Sequence, residues 1–451
     1  MRKFLTLIAI AVIGAGALLA WPLLEGDAPN IEAPEKINLG AAGAQIEVRW
    51  TDVGTGLRNV DASLEIDTGA RPLLKRSLHT RSFEGSAVTG SVAPQLFETA
   101  TLVLDPQALK IPDGDATLVL RAADWAWSNS LSGNLTEVRI PVSVDTEPPV
   151  LSVESGLTYV QRGGSAAVVY RVDADTRSHG VRVGDAFFPG SALGSGKQVA
   201  IFAIPIDAEK RPTVRVIAAD PAGNEAVHRF DARIRERNFR TIDINLSNRF
   251  LDNVASEFGS SADGDDRVAT FRRANEDMRA GSEDVIRNAI GPPTSKQFRG
   301  AFEQMYNSRV TSHFAELRHY RNGGKQVSEA RHYGYDLAST GHAPITASNA
   351  GTVIFVGENG IYGQLVMLDH GLGLTTLYGH LSSIGVSVGD KVLKGAELGR
   401  SGATGLAGGD HLHFAILVGH TYVDPVEWWD GKWVREHIEV RLAPSAANAK
   451  R

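Results

Sequence analysis

His411-Leu412-His413-Phe414 is the stretch that decides the reading of this chain, and two earlier segments join it: Arg331-His332-Tyr333-Gly334-Tyr335-Asp336 and Tyr378-Gly379-His380-Leu381. Along a β-strand, side chains at i and i+2 leave the same face, so two imidazoles can enter one site from adjacent rungs. Leu412 and Phe414 then point the other way, into a core. His332 and Asp336 stand four positions apart and add an imidazole and a carboxylate, and His380 adds one more ring. Two histidines and one carboxylate can hold a zinc ion while leaving its fourth position open for water, the arrangement of a catalytic rather than a structural site. The residues alone do not say which of the histidines ligate. All of these groups fall within 82 residues, 332 to 413, among Gly-rich turns, and ten of the thirteen histidines lie beyond residue 312.

Working outward, segments 351–357, 364–368 and 412–418 alternate short apolar runs with Gly- and Asp-rich turns, the pattern of a sheet. The chain has no cysteine, which removes disulfide scaffolds, thiolate zinc sites and cysteine nucleophiles. Its formal net charge is −6 with no basic stretch beyond short pairs, so nucleic acid is not an expected partner. At 451 residues it exceeds one ordinary core, and two to four domains are expected.

Residues 32–147 read as β-structure, with Ile46, Val48 and Trp50 at period two and an apolar run at 116–122. Asp145-Thr146-Glu147-Pro148-Pro149 breaks the chain, because two prolines suit neither helix nor ladder. A second β-rich segment covers 148–236. The segments repeat a strand that runs into a turn, 118–129 beginning its turn at Asp124 and 214–224 at Asp220, where Asp and Asn can bond local backbone. That pattern resembles the late hairpin of bacterial immunoglobulin-like domains, and two β-sandwiches are expected. Residues 237–297 read as a connector with one or two short helices between Phe271 and Ile290, ended by Gly291-Pro292-Pro293. A helix lying over the groove of the following domain is the alternative. The domain that carries the histidines is placed at 298–440, with a flexible tail at 441–451.

At the N-terminus Met1-Arg2-Lys3 precedes an uncharged apolar run from Phe4 to Leu24. At 1.5 Å per residue that run matches a hydrocarbon core of about 30 Å. Residues 1–24 are therefore expected to be a signal anchor, or a cleaved signal peptide, with the remainder of the chain exported.

From about Ser308 to Trp429 the sequence resembles the lysostaphin-like, LytM-type zinc endopeptidases of bacterial cell walls. The resemblance rests on Arg309-Val310-Thr311-Ser312-His313-Phe314, the segment His332 to Ala338, Tyr362-Gly363, Asp369-His370-Gly371, the segment Tyr378 to Leu381, Gly402-Ala403-Thr404-Gly405, the segment His411 to Phe414, and Val423-Asp424-Pro425. It departs from the family at Gly409-Asp410 and Ala415, and at Ala315, where glycine is usual. It implies a mainly β fold with an open groove, His332, Asp336 and His413 as zinc ligands, and His380 and His411 as the catalytic pair. One of that pair would take a proton from water and the other would donate to the oxyanion or leaving amine. His370 is assigned to a turn, and His313, His319, His342, His420 and His437 to surface or core positions.

The resemblance further implies hydrolysis of peptidoglycan peptide cross-links, as a D,D-endopeptidase if the envelope is Gram-negative. The enzyme would then be a single-pass inner-membrane protein with its catalytic domain in the periplasm, and its sandwiches could meet an envelope protein. Two other readings remain: a catalytically silent regulator that activates a cell-wall amidase, and a zinc endopeptidase that acts on protein.

Overall fold

The computed structural model describes residues 26–78, 96–128, 132–259 and 267–443. The expected membrane segment lies outside these residues, as does most of the expected tail. Among the described residues no helix is long and apolar enough to cross a membrane. The chain divides into two compact units, Met1–Pro149 with Ala219–Glu225, and Val150–Ala218 with Ala226–Arg451. Both are mainly β.

In the first unit the strands Asn30–Glu32, Ala44–Thr51 and Phe97–Leu104 form one sheet, and five strands between Ile37 and Val144 form another. Along Ala44–Thr51 the expected alternation appears: Ile46, Val48 and Trp50 are buried while Glu47 and Arg49 are exposed. These side chains join Leu102, Leu104, Leu118 and Leu120 in one core between the sheets. Asp124 closes its turn as its chemistry suggests, Oδ1 accepting from Ala126 N at 3.0 Å and from Asn134 N at 2.7 Å. Asp220 Oδ1 likewise accepts from Asn224 N at 3.0 Å, whereas Asn129 lies outside the described residues.

The second unit contains the β-rich segment after Pro149, a helical stretch and the histidine-bearing domain. Two four-stranded sheets follow residue 150, one centred on Ser165–Val172 and Lys197–Ala203, the other on Ser178–Val183 and Val214–Ala219. Their core is not separate. Tyr170, Phe188 and Phe202 belong to the same continuous cluster as Leu377, Ile416 and Trp428 of the C-terminal domain. Trp428 Nε1 donates to Ser165 Oγ at 3.1 Å, and Arg441 donates to the carbonyl of Ala167 at 2.7 Å.

Three helices, α1 (Asn248–Phe258), α2 (Arg267–Arg273) and α3 (Arg279–Ala289), precede the C-terminal domain, with a π-turn at Ala274–Met278 joining the last two. Helix is expected from the sequence only between Phe271 and Ile290. Helix α1 is amphipathic, burying Leu251 and Val254, and Ser247 caps it by accepting from Phe250 N at 3.2 Å. Helix α3 runs through Gly281 to Ala289, two positions before Gly291 of the Gly-Pro-Pro break.

The C-terminal domain is built from β1 (Arg309–Ser312), β2 (Leu317–Asn322), β3 (Lys325–Arg331), β4 (Tyr335–Ala338), β5 (Gly351–Glu358), β6 (Gln364–Asp369), β7 (Leu374–Leu381), β8 (Lys391–Val392), β9 (Leu412–Val418) and β10 (Thr421–Val423). Its main sheet runs β1-β4-β9-β7-β6-β5-β8, with β10 on the flank of β9. Strands β7 and β9 are buried along their whole lengths, so side chains on both faces lack water. On one face Phe414 stacks on Trp429 and meets Tyr378 edge-on. The other face carries the polar centre.

Candidate metal centre

Strand register assembles the centre. In the β4–β9 ladder Asp336 stands directly opposite His413, and in the β7–β9 ladder Gly379 does. Glycine there leaves the space over His413 to His380, the next residue, whose backbone is left-handed at φ 62°. A left-handed non-glycine residue costs about 1–2 kcal/mol and persists only where its surroundings hold it. His332 enters from the β3–β4 turn, pinned by its own N–H to the carbonyl of Glu316 at 2.9 Å and by Ala315 N to its carbonyl at 2.7 Å. Ala315 itself has φ 62°, which explains why glycine is usual there.

His332 Nδ1 donates to the carbonyl of His313 at 2.9 Å, so Nε2 carries the lone pair. That nitrogen lies 2.9 Å from Asp336 Oδ1 and 3.0 Å from His413 Nδ1, and His413 Nδ1 lies 3.0 Å from the same oxygen. All three residues are buried. Electron-rich atoms converging in a dry site repel unless a cation or proton joins them. The far nitrogen of His413, Nε2, is buried without a partner. The donor set of two imidazole nitrogens and one carboxylate oxygen, at near-equal spacing, is the one zinc takes in open, three-ligand sites. These residues therefore fit a zinc ion.

His380 and His411 flank the triad, with ring centroids 4.8 Å apart. Each commits Nδ1 to a backbone carbonyl, His380 to Thr404 at 2.8 Å and His411 to Gly409 at 2.7 Å, so each offers Nε2 to the site. His411 Nε2 lies 3.6 Å from Asp336 Oδ1. The five residues singled out in the sequence thus meet at one place.

Burial sets the protonation states. It depresses His413 to about 4, and it holds His332 low although Asp336 pulls the other way. It also drives His380 well below the usual histidine range, helped by the neighbouring His411 and His413. For Asp336, burial acts upward, but interaction with His332 above all, and with His411 and His413, holds the carboxyl well below its usual value. His411 is also buried, yet the neighbouring Asp336 carboxylate raises it above its ordinary value.

Other residues of the site were not singled out in the sequence. Arg318, on β2, donates from Nη2 to Asp336 Oδ2 at 2.9 Å. Helix α3 brings Arg279 to the wall of the cavity, whose volume is about 100 Å³. Beside it Glu283 accepts from Tyr362 OH at 2.6 Å and from Tyr422 OH at 2.8 Å, and Asn359 Nδ2 donates to the carbonyl of Ser282 at 3.1 Å. Burial foremost, with Glu283 contributing, holds both tyrosines well above the usual phenol range. No spacing motif marks these helix residues; only the tertiary structure places them here.

His370 is fully buried, its Nδ1 donating to the carbonyl of Ala350 at 2.7 Å and its Nε2 2.7 Å from Thr376 Oγ1. It supports the turn after β6. His313 contributes only a backbone carbonyl to the centre.

An eight-stranded sheet that carries a buried His-Asp-His triad and two open imidazoles defines a metallopeptidase-like domain. Residues 330–425 match the model of peptidase family M23, and this part of the chain is a peptidase M23 domain of the LytM type. The chain is 35% identical over 132 residues to the DD-carboxypeptidase/endopeptidase Mpg of Neisseria meningitidis serogroup B, covering 29% of this chain and 30% of that protein. It is 36% identical over 110 residues to the peptidoglycan DD-endopeptidase ShyA of Vibrio cholerae, covering 24% and 25%. The chain thus spans under a third of the length of these curated relatives. Among solved structures it is similar to a putative peptidase M23 from Pseudomonas aeruginosa, at 21% identity and a TM-score of 0.34, covering 60% of this chain and 94% of that one. The lysostaphin catalytic domain of Staphylococcus simulans gives 28% identity and a TM-score of 0.25, covering 29% and 98%.

Proposed function

We propose that this protein is a zinc metallo-endopeptidase that hydrolyses peptide cross-links of bacterial peptidoglycan, as a D,D-endopeptidase. The observation that carries the reading is the convergence of His332 Nε2, Asp336 Oδ1 and His413 Nδ1 beside two further imidazoles that present free nitrogens. His332, Asp336 and His413 would hold the zinc, which when bound lowers the pKa of water and polarises a carbonyl. His380 and His411 supply a proton acceptor and a proton donor for water and the leaving amine, each ring aimed by its Nδ1 bond to a backbone carbonyl. Buried walls strengthen every charge interaction within the site. The names of the similar proteins support peptidoglycan as the substrate, and the expected N-terminal anchor suits an inner-membrane enzyme facing the periplasm.

A cavity of about 100 Å³ is well below the ~300 Å³ or more of ordinary ligand pockets. Admission of a cross-linked peptide therefore requires the wall formed by Arg279 of α3, Tyr333 and Tyr362 to open. That small volume is also the observation that favours a silent regulator as the second reading. Digestion of purified sacculi by the full chain, with muropeptides identified by mass spectrometry, separates them. The enzyme reading expects released fragments that disappear with His411→Ala and with chelation and return with zinc. A wild-type protein that releases nothing, even after that wall is loosened, would leave the regulator; cleavage of protein substrates alone would favour the protein-directed peptidase.

A further inference from the structure

Asp336 has two carboxylate oxygens, and the structure treats them differently. Oδ1 faces His332, His413 and His411 at 2.9, 3.0 and 3.6 Å. Oδ2 accepts from Arg318 Nη2 at 2.9 Å. The arginine is itself held: its side chain is 16% exposed, it rises from the first part of β2, and Glu316 Oε2 stands 4.0 Å from the same nitrogen. Glu316 is buried, so the row Glu316, Arg318, Asp336 alternates in charge as it approaches the centre. Arg318 lies twelve positions before the segment that matches the family model.

We infer that Arg318 is a positioning residue that keeps Asp336 a one-oxygen ligand. A carboxylate beside a divalent ion can bind through one oxygen or both. With both, it takes up a position that water or a peptide carbonyl needs. Arg318 occupies the second oxygen with a directional, charge-assisted bond, which a buried guanidinium supplies better than an ammonium because its donors are fixed in a plane. The arginine also withdraws charge from the carboxylate and so weakens its attraction for the ion. Arg318 thus trades metal affinity for an open coordination position. This inference rests on the metal reading proposed above.

The test uses the full chain with Arg318→Met and Arg318→Lys, the metal probes being Zn²⁺ and Co²⁺. Zinc affinity is measured by competition with a chromophoric chelator, and coordination number by the visible absorption of the Co²⁺ protein, whose intensity falls as ligands are added. Arg318→Met is expected to bind zinc as tightly as wild type or several-fold tighter, with weaker Co²⁺ absorption, while sacculus hydrolysis drops 10–100-fold, the range usual for loss of an outer-shell partner. Arg318→Lys, with the charge but not the planar fork, should fall between. A residue that merely supported the fold would lower metal affinity and activity together; that result, or an unchanged Co²⁺ spectrum, overturns the inference. If wild type binds neither ion, the metal reading itself fails, and the two failures are distinguishable. Circular dichroism of the metal-free variants checks that they fold.

Discussion

Glu427 offers a test of how far the C-terminal domain and the preceding sheets act as one folded body. Its carboxyl is buried, with Oε2 accepting from Ser165 N at 2.9 Å and Gly164 pressed so close that a Cβ there would lie 2.5 Å from Oε1. Burial, with the nearby Asp424 adding to it and Arg237 partly offsetting it, pushes the group up to about 8 from an ordinary 4.5. The folded protein therefore keeps this proton to higher pH than the unfolded chain. The stability it contributes is whole below about pH 4.5 and declines as pH rises toward 8. At about 1.4 kcal/mol per pH unit the full window amounts to roughly 5 kcal/mol, of which about 2–3 kcal/mol falls between pH 5.5 and 7.5. Glu427→Gln keeps an acceptor for Ser165 N and removes the titration. Urea unfolding of both proteins, followed by tryptophan fluorescence at pH 5.5, 6.5 and 7.5, should show the variant gaining about 2–3 kcal/mol on wild type across that range. Histidine and zinc effects are common to both proteins and cancel in the difference. An offset that stays constant with pH would refute the reasoning.

His380→Ala and His411→Ala should each lower sacculus hydrolysis by about 10²–10⁴-fold while leaving the far-ultraviolet spectrum unchanged, the range for loss of a positioned acid or base; activity within a few-fold of wild type would remove that histidine from the mechanism. Zinc at a hundred times its dissociation constant should add about 2.7 kcal/mol to the stability of the chelated protein, read as a rise in melting temperature, and no rise would mean that the triad does not hold the ion. Glu283→Ala removes the acceptor for Tyr362 and Tyr422 and should loosen α3 from the cavity wall. Hydrolysis is then expected to rise several-fold together with faster hydrogen exchange in 279–289, and faster exchange without a rise in activity would show that the cavity wall does not limit access. Trp428→Ala, in the shared core, should cost about 3–5 kcal/mol by cavity formation, and a loss below 1 kcal/mol would show that the core relaxes around it.

The five-residue cluster at the candidate metal centre was legible because much of it obeys local rules. His413 and Asp336 face each other on paired strands, His411 sits at the rung before β9, and His332 reaches them from the β3–β4 turn. His380 was legible only through its motif, since its left-handed backbone follows from tertiary constraint at Gly379 and Thr404. The period-two strand at 44–51 was plain for the same reason as His413. By contrast, Arg318 and Glu283 act across the fold: nothing in their neighbours marks a basic residue that meets Asp336 eighteen positions on, or an acid that meets tyrosines 79 and 139 positions away. Helix α1, however, does carry its signal locally: Leu251, Val254 and Phe258 recur at helical spacing behind the cap Ser247. The break expected at 236–237 marks a change of composition, yet hydrophobic contact runs straight across it, from Phe202 to Trp428. Segment composition records where strands end; it does not record which surfaces they later share.

That continuity has a consequence for how the protein is made. The carbonyl of Ala167 is met by Arg441, 274 positions later, and Ser165 by Trp428, 263 positions later. At about 5–20 residues per second a ribosome needs roughly 15–55 s to supply those partners. Throughout that interval the strand Ser165–Val172, six of whose eight residues are buried in the finished protein, waits without its cover. Packing of this strand is therefore completed only once residues 428–441 have been made.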